Sequence, residues 1–238
     1  MASIRTQRGK LYYKPVNIYL GIKRMDRDIA FENLKIVIRV LKENGIRASL
    51  AYGTLLGIVR DGNFIEWDED IDFFVRKEEK DLLLGAFWDL KAEGFELVRA
   101  VRCGYLYSIM RNGEYIDFYI QEKISPEVRT NYGGGFIFEK YLSDLVEYNF
   151  RGLDVLVPRE YEEYLSFIYG DWRTPVQWAD YEMPKRKIVI AKLNNSLKSL
   201  LPKPLRFYLL KEHHRKDFDK FLAKCKKKNI ILKYPIKY

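Results

Sequence analysis

The chain has few of the residues that mark disulfide-bonded, zinc-binding or membrane-spanning proteins. It contains two cysteines and two histidines among 238 residues. Cys103 and Cys225 belong to no CxxC pair and to no cysteine and histidine cluster of zinc spacing, so we expect reduced thiols and no structural zinc. No apolar run approaches the ~20 residues of a membrane-spanning helix, and no apolar signal segment stands near the start. These absences predict a cytoplasmic protein that does not cross the membrane. Its basic C-terminal region allows a peripheral position at the inner membrane face.

The positive charge of the chain is concentrated at one end. The formal net charge is +9, yet from Met183 onward there are 17 lysines and arginines against 3 acidic residues, whereas residues 1–182 carry a net charge of −5. This asymmetry is typical of a protein that docks on a polyanion. The length suffices for one α/β domain with a full core. We therefore expect a catalytic domain over residues 1–182 and a basic helical extension over residues 183–238.

One segment has the layout of a metal-dependent phosphoryl-transfer site. Residues 51–75 read AYGTLLGIVRDGNFIEWDEDIDFFV. The pair Gly53 and Thr54 precedes an acidic triplet by about fifteen residues, and the triplet consists of Asp68, Asp70 and Asp72. Mg²⁺ prefers oxygen ligands and is usually held by one or two carboxylates together with the phosphates of the substrate. The spacing therefore predicts a phosphate-bearing substrate with Mg²⁺ or Mn²⁺ as cofactor.

Strand geometry places two of these carboxylates together. Successive side chains of a strand alternate between its faces, so Asp70 and Asp72 share one face while Ile71 and Phe73 point into the core. Asp68 has the same parity but lies nearer the start of the strand, as a neighbour of the metal site or an occasional ligand. The alternative is a solvated acidic loop. The apolar residues that follow argue against it, because uncompensated charge on a buried strand costs several kcal/mol.

The chain resembles the LicD family of phosphocholine transferases, which includes fukutin-type phosphosugar transferases. The resemblance extends over roughly residues 30–180 and rests on Tyr52-Gly-Thr-Leu-Leu-Gly57, Arg60, Phe64-Ile65, Trp67-Asp-Glu-Asp-Ile-Asp72 and Tyr169-Gly-Asp-Trp-Arg-Thr-Pro175. It departs from the family pattern at Glu69, where family members often have aspartate. The resemblance implies a nucleotidyltransferase fold like the palm of DNA polymerase β, with the aspartates as metal ligands.

The wider superfamily places a third acidic residue on a later strand. Tyr115-Ile-Asp-Phe-Tyr119 supplies it, since alternation puts Asp117 on one face with the two tyrosines. The resemblance gives Asp117 one of two roles, either completing the metal site or accepting the proton of the acceptor hydroxyl. A purely structural aspartate on an edge strand is the alternative reading.

Further candidate residues for substrate binding flank these motifs. Gly53 and Thr54 precede a short helix whose N-terminal amides can hold a phosphate. Arg60 can clamp a phosphate with its planar fork of donors, or form a surface salt bridge. Trp67 can stack on a base or a sugar, or pack in the core. A recognition loop is expected after the last helix of the domain, with a helix cap and turn as the alternative; its residues are Asp171, Trp172 and Arg173.

Hydrophobic periodicity predicts an α/β (α+β) fold in which helices flank a mixed sheet. Helices are expected at 26–44, 55–60, 78–93 and 159–169, and strands at 47–52, 68–75, 95–101, 105–110, 115–121 and 153–157. Asn112-Gly113 predicts a hairpin turn. Glycines 133–135 predict a mobile loop, or a phosphate cradle. Two basic helices are expected at 185–200 and 203–228, the second either lying on an anionic membrane or packing on the domain.

The resemblance implies a Mg²⁺-dependent phosphotransferase. Its partners would be a CDP-linked donor such as CDP-choline and a sugar hydroxyl of a cell-surface glycan or lipid-linked glycan precursor, with CMP as the second product. One alternative on this fold is a nucleotidyltransferase that moves NMP from an NTP to a small molecule, protein or RNA and releases pyrophosphate. A catalytically inactive glycan- or lipid-binding protein is disfavoured because all three acidic positions are present. Nucleic acid is not an expected partner, since the chain has no RGG tract or recognisable RNA-binding module.

Overall fold

The computed structural model of the chain describes residues 1–16, 18, 24–101, 104–131, 135–175, 202–234 and 236. The strands of this part are β1 (Ala2–Thr6), β2 (Gly9–Tyr13), β3 (Ser49–Leu50), β4 (Asp70–Arg76), β5 (Glu96–Ala100), β6 (Leu106–Arg111), β7 (Glu114–Lys123), β8 (Val128–Thr130), β9 (Phe136–Phe138), β10 (Leu145–Phe150) and β11 (Leu153–Pro158). Its helices are α1 (Arg27–Glu43), α2 (Tyr52–Asp61), α3 (Lys80–Ala92), α4 (Lys140–Ser143), α5 (Tyr161–Tyr169) and α6 (Lys203–Lys227), with a 3₁₀ turn at Lys77–Glu79 before α3.

A mixed sheet forms the centre of the protein, which confirms the predicted fold class. Its strand order is β3-β4-β7-β6-β5, and β8 and β9 continue from the end of β7. Strands β4 and β7 run parallel, whereas the other neighbouring pairs of this sheet are antiparallel. Two separate hairpins, β1-β2 and β10-β11, complete the sheets of the described residues. The parallel pair β4 and β7 is the frame of the candidate site.

One face of the sheet is apolar and packs against α1 and α3. Ile71 and Phe73 of β4 are buried there, as predicted from alternation. The ring of Phe73 stacks on that of Phe118 from β7 with 5.5 Å between centroids, and Phe118 contacts Phe87 of α3 at 5.8 Å. This core fixes β4 and β7 side by side and directs their alternate residues to the opposite face.

The opposite face carries the aspartates and is partly covered by α2 and α5. Phe74 of β4 makes edge-to-face contacts with Tyr52 of α2 and Tyr164 of α5, at 4.8 and 6.2 Å between ring centroids. The backbone N–H of Tyr52 also donates to the hydroxyl of Tyr164 at 3.3 Å. These aromatic contacts bring the start of α2 close to the acidic end of β4.

Local signals in the sequence mark several boundaries correctly. The carboxylate of Asp26 accepts hydrogen bonds from the N–H groups of Asp28 and Ile29 at 3.1 and 3.2 Å, so it caps α1 as expected for aspartate before a helix. Asn112 and Gly113 both have positive φ angles, 54° and 83°, which is the conformation of a tight hairpin turn. The predicted helix at 26–44 and the predicted hairpin are confirmed.

Other boundaries differ from the predictions. Helix α2 begins at Tyr52 rather than near residue 55, so Gly53 and Thr54 lie in its first turn. Hairpin β1-β2 and strands β8, β9 and β10 were not predicted. Exposure alternates along β1, but the hairpin gives a weak hydrophobic signal because Leu11 and Thr6 are its only buried residues. The predicted helix at 185–200, Cys103 and glycines 133 and 134 lie outside the described residues.

Helix α6 packs on the domain through one of its faces. Phe221 and Cys225 are buried, and the ring of Phe221 lies 5.4 Å from that of Phe138 in β9. The predicted second basic helix is thereby confirmed as a helix, and its apolar residues contribute to the main core. The division at residue 182 stays a prediction. Among the described helices, none combines the length and apolar character needed to cross a membrane.

Candidate active site

Three carboxylates meet on the polar face of the sheet. Asp70 and Asp72 project from β4 and Asp117 from β7, and the parallel register sets Asp72 directly beside Asp117 and Asp70 beside Tyr115. One carboxylate oxygen of each aspartate lies within 4.8 Å of the other two. The structure thus brings together three of the four aspartates predicted as candidate metal ligands.

The burial and close spacing of the three carboxylates suit a bound cation. Asp72 and Asp117 are 7% and 1% exposed, and an Oδ1 atom of each has no hydrogen-bond partner. Burial, followed by the charges of Asp117 and Asp68, raises the pKa of Asp70 to about 8. Burial is also the largest cause of the raised pKa values of Asp72 and Asp117. Buried carboxylates this close repel one another, and a hard divalent ion such as Mg²⁺ or Mn²⁺ fits their oxygen donors.

Thr54 connects α2 to the metal strand. Its hydroxyl accepts the backbone N–H of Asp72 at 2.9 Å, and the N–H of Ala51 donates to the carbonyl of Asp72 at 3.0 Å. Tyr52, the first residue of α2, has a left-handed φ of 43°, which is costly for a non-glycine residue. The observed hydrogen bond of the Thr54 hydroxyl is thus with the backbone N–H of Asp72. Substrate binding by Gly53 and Thr54 stays a prediction.

Asp68 lies before β4 rather than on it, which corrects the predicted strand start. The triad of clustered oxygens does not include Asp68, although its charge contributes to the raised pKa of Asp70. Its own pKa is raised to about 6, mainly by burial. A Cβ atom at Gly53 would lie 2.5 Å from Oδ2 of Asp68, so glycine at this position allows the carboxylate to pack under α2. Metal ligation by Asp68 stays a prediction.

Gly57 permits a close backbone approach behind the site. A Cβ atom there would lie 2.7 Å from the carbonyl oxygen of Asn63 and 2.8 Å from the nitrogen of Ile65, and backbone atoms of a packed loop cannot move cheaply. We expect Gly57→Ala to lower the free energy of unfolding by about 1–3 kcal/mol, as overpacking does. Urea denaturation followed by circular dichroism measures this change.

Gly85 in α3 supplies the matched control, because a Cβ atom at that position meets nothing within 4 Å. Gly85→Ala should be neutral or stabilising by up to about 1 kcal/mol, the usual advantage of alanine over glycine within a helix. Equal effects of the two substitutions would refute the packing role of Gly57.

Arg60 and Trp67 occupy defined places outside the triad. The guanidinium of Arg60 donates to both carboxylate oxygens of Asp61 at 2.7 Å, and its side chain is 10% exposed. Trp67 is half-buried and packs against the core. Their predicted contacts with phosphate and with a base or sugar stay predictions.

The loop after α5 is held by contacts with that helix. Trp172 is 5% exposed and donates through Nε1 to the hydroxyl of Ser166 at 3.1 Å. The guanidinium of Arg173 lies 4.2 Å from the centroid of the Trp172 ring and pairs with Glu162 at 2.9 Å. Packing thus accounts for most of the surface of Trp172. Substrate recognition by Asp171, Trp172 and Arg173 stays a prediction.

Two residues at the site were missed in the sequence. Arg99 of β5 forms an ion pair with Asp117, and its Nε donates to the hydroxyl of Ser108 in β6 at 2.7 Å. Neither belongs to a motif, and simple alternation from the buried Leu97 would place Arg99 on the apolar face. Only the pairing of the strands reveals that both lie beside the triad.

The segment that contains this site has a recognisable family. Residues 45–160 match the protein family described as LicD/FKTN/FKRP, nucleotidyltransferase domain. They form a LicD-family nucleotidyltransferase domain. The match includes β4 and β7 and hence all three aspartates of the triad. The match supports an activity of the phosphotransferase or nucleotidyltransferase type for this segment.

Other comparisons add little to this assignment. No curated protein matches the sequence of the chain. The solution structure of the antibiotic-resistance factor ANT(2'')-Ia shares 14% identity at a TM-score of 0.44, over 84% of this chain and 97% of that one. The lincomycin-bound structure of the lincosamide antibiotic adenylyltransferase LnuA shares 12% identity at a TM-score of 0.43, over 63% and 90%. At these TM-scores neither likeness bears on the function of the LicD domain.

Proposed function

We propose that this protein is a metal-dependent phosphotransferase that moves a phospho-alcohol unit, such as phosphocholine or a polyol phosphate, from a CDP-linked donor to a sugar hydroxyl. The acceptor would be a cell-surface glycan or its lipid-linked precursor, and the second product CMP. The observation that carries the proposal is the buried triad of Asp70, Asp72 and Asp117 within a LicD domain.

The residues of the triad have distinct tasks in this proposal. Asp70 and Asp72 would hold Mg²⁺ or Mn²⁺ through their carboxylate oxygens, and Asp117 would complete the site with its unpartnered Oδ1. A bound divalent ion neutralises charge that develops on the phosphates during transfer. Thr54 keeps Asp72 in place through the hydrogen bond to its backbone.

In the proposed transfer, the phospho-alcohol unit moves from the diphosphate of the donor to the acceptor hydroxyl. The acceptor oxygen forms a bond to the phosphorus that bears the alcohol, and the bond from that phosphorus to the bridging oxygen of the diphosphate breaks. CMP departs with the electron pair of that bond, and the proton of the acceptor hydroxyl leaves to solvent. The enzyme contributes mainly positioning and charge stabilisation, as in other phosphoryl transfers.

The basic C-terminal part suits an anionic surface such as the inner face of a membrane. Exposed lysines line α6, whereas Phe221 and Cys225 are buried against the domain. Leu205 and Leu209 are exposed at 43% and 44%. We propose an electrostatic contact of this part with anionic lipid, which would bring the site to a lipid-linked acceptor.

The donor class is tested by calorimetry and by product analysis. We expect Mg²⁺-dependent binding of at least one of CDP-choline, CDP-glycerol and CDP-ribitol, and release of CMP when a suitable glycan acceptor is added. Binding of CTP or ATP alone, with release of pyrophosphate, would instead show a nucleotidyltransferase. Asp154→Asn serves as the matched control for the variant Asp72→Asn. Asp154 is an exposed residue of hairpin β10-β11, and among the contacts described its side chain bonds only to Asn149.

A further inference from the structure

Arg99, Ser108, Asp117 and Asp72 form one row across four neighbouring strands. Arg99 pairs with Ser108 between β5 and β6, Ser108 pairs with Asp117 between β6 and β7, and Asp117 pairs with Asp72 between β7 and β4. Directly paired residues of a sheet present their side chains on the same face. The row therefore leads from a partly exposed guanidinium at the edge strand to the metal-binding strand.

A bulge in β5 is what places Arg99 in this row. Leu97 pairs with Ile109 on the apolar face, but the register shifts by one residue so that Arg99 pairs with Ser108. Without the extra residue, Val98, the side chain of Arg99 would share the apolar face with Leu97. β-Bulges often reorient a side chain next to an active site.

The contacts of Arg99 fix the orientation of Asp117. Its Nη2 donates to Oδ2 of Asp117, and its Nε donates at 2.7 Å to the hydroxyl of Ser108, the residue directly paired with Asp117 across the strands. Asp117 is 1% exposed, and its Oδ1 has no hydrogen-bond partner. One oxygen of Asp117 is thus held by the protein while the other has no hydrogen-bond partner.

We propose that Arg99, together with Ser108, is a positioning residue that fixes the carboxylate of Asp117 as the third ligand of a divalent cation. This inference rests on the proposed function only in requiring a metal at the triad. Residues that hold a metal ligand from behind typically affect metal affinity or activity by 10- to 100-fold.

The sign of the change in metal affinity decides between this role and a simple counter-charge. Removing a positive charge beside a cation site strengthens cation binding if charge alone matters. Loss of a fixed ligand weakens it. We therefore expect Arg99→Gln to raise the dissociation constant of Mn²⁺ about tenfold in the absence of any donor, as measured by electron paramagnetic resonance of the free ion.

Two further variants and a control complete the experiment. Ser108→Ala changes no charge and should also weaken Mn²⁺ binding, whereas Arg99→Lys keeps the charge without the planar fork and should be intermediate. Arg39→Gln removes a surface arginine paired with Glu43 and Glu93, and should leave Mn²⁺ binding unchanged. If Arg99→Gln does not fold, as judged by circular dichroism, Ser108→Ala carries the test.

The outcomes separate this role from the proposed function. Tighter Mn²⁺ binding by Arg99→Gln, or a change of less than twofold in both Arg99→Gln and Ser108→Ala, would overturn the positioning role alone. Absence of Mn²⁺ binding by the wild-type protein would overturn the proposed function as well.

Discussion

Asp72→Asn is expected to slow metal-dependent transfer by about three orders of magnitude while making the metal-free protein more stable. Asparagine has nearly the same shape, and the backbone of Asp72 stays bonded to Thr54 and Ala51. Loss of about 4 kcal/mol of charge stabilisation corresponds to a rate roughly 1,000-fold lower. In the presence of EDTA, the substitution also removes repulsion between buried carboxylates, so the melting temperature should rise by about 2–4 °C for each kcal/mol gained.

Asp117→Asn is the informative comparison within the same triad. It removes the counter-charge of Arg99, so its metal-free form should not gain stability, although its transfer rate should also fall. Calorimetric melting with EDTA and with Mg²⁺ measures the stabilities, and release of CMP measures the transfer rates. Mg²⁺ should stabilise the wild-type protein but not Asp72→Asn. A metal-free Asp72→Asn that melts below the wild-type protein would refute the account of a repulsive triad.

Phe221→Ala should destabilise the whole catalytic domain although it lies in the basic extension. Phe221 is 5% exposed and its ring lies between 5.4 and 6.0 Å from those of Phe136, Phe138 and Phe167. Truncation of a buried phenylalanine costs about 3–5 kcal/mol. The melting temperature should fall by roughly 10 °C, at 2–4 °C for each kcal/mol.

Tryptophan fluorescence is the appropriate readout, since all four tryptophans lie within residues 1–182. Leu222→Ala is the matched control, because Leu222 is the next residue of α6 and is 37% exposed. Its truncation should cost less than about 1 kcal/mol. Unchanged tryptophan melting in Phe221→Ala would show that the extension is an independent unit, as the predicted division at residue 182 allows.

The sequence by itself determined the features that depend on neighbouring residues. Alternation placed Asp70 and Asp72 on one face of a strand, Asp26 marked the start of α1, and Asn112-Gly113 marked a hairpin. Each depends on the geometry of one element or turn, which nearby side chains and backbone angles decide. The third acidic residue, Asp117, came from the resemblance to a family, since nothing local connects it to β4.

Only the tertiary structure decided which distant residues meet. The register of β4 against β7 sets Asp117 beside Asp72, and a bulge in β5 turns Arg99 from the apolar face to the triad. The burial of Phe221 likewise follows from the packing of α6 against β9. A shift of one residue in strand pairing exchanges the two faces of a strand, and the energy that selects the register comes from contacts between segments far apart in the chain. For that reason the sequence pattern named the candidate ligands Asp70 and Asp72 but gave no sign of Arg99 and Ser108, which lie in the same row as Asp117.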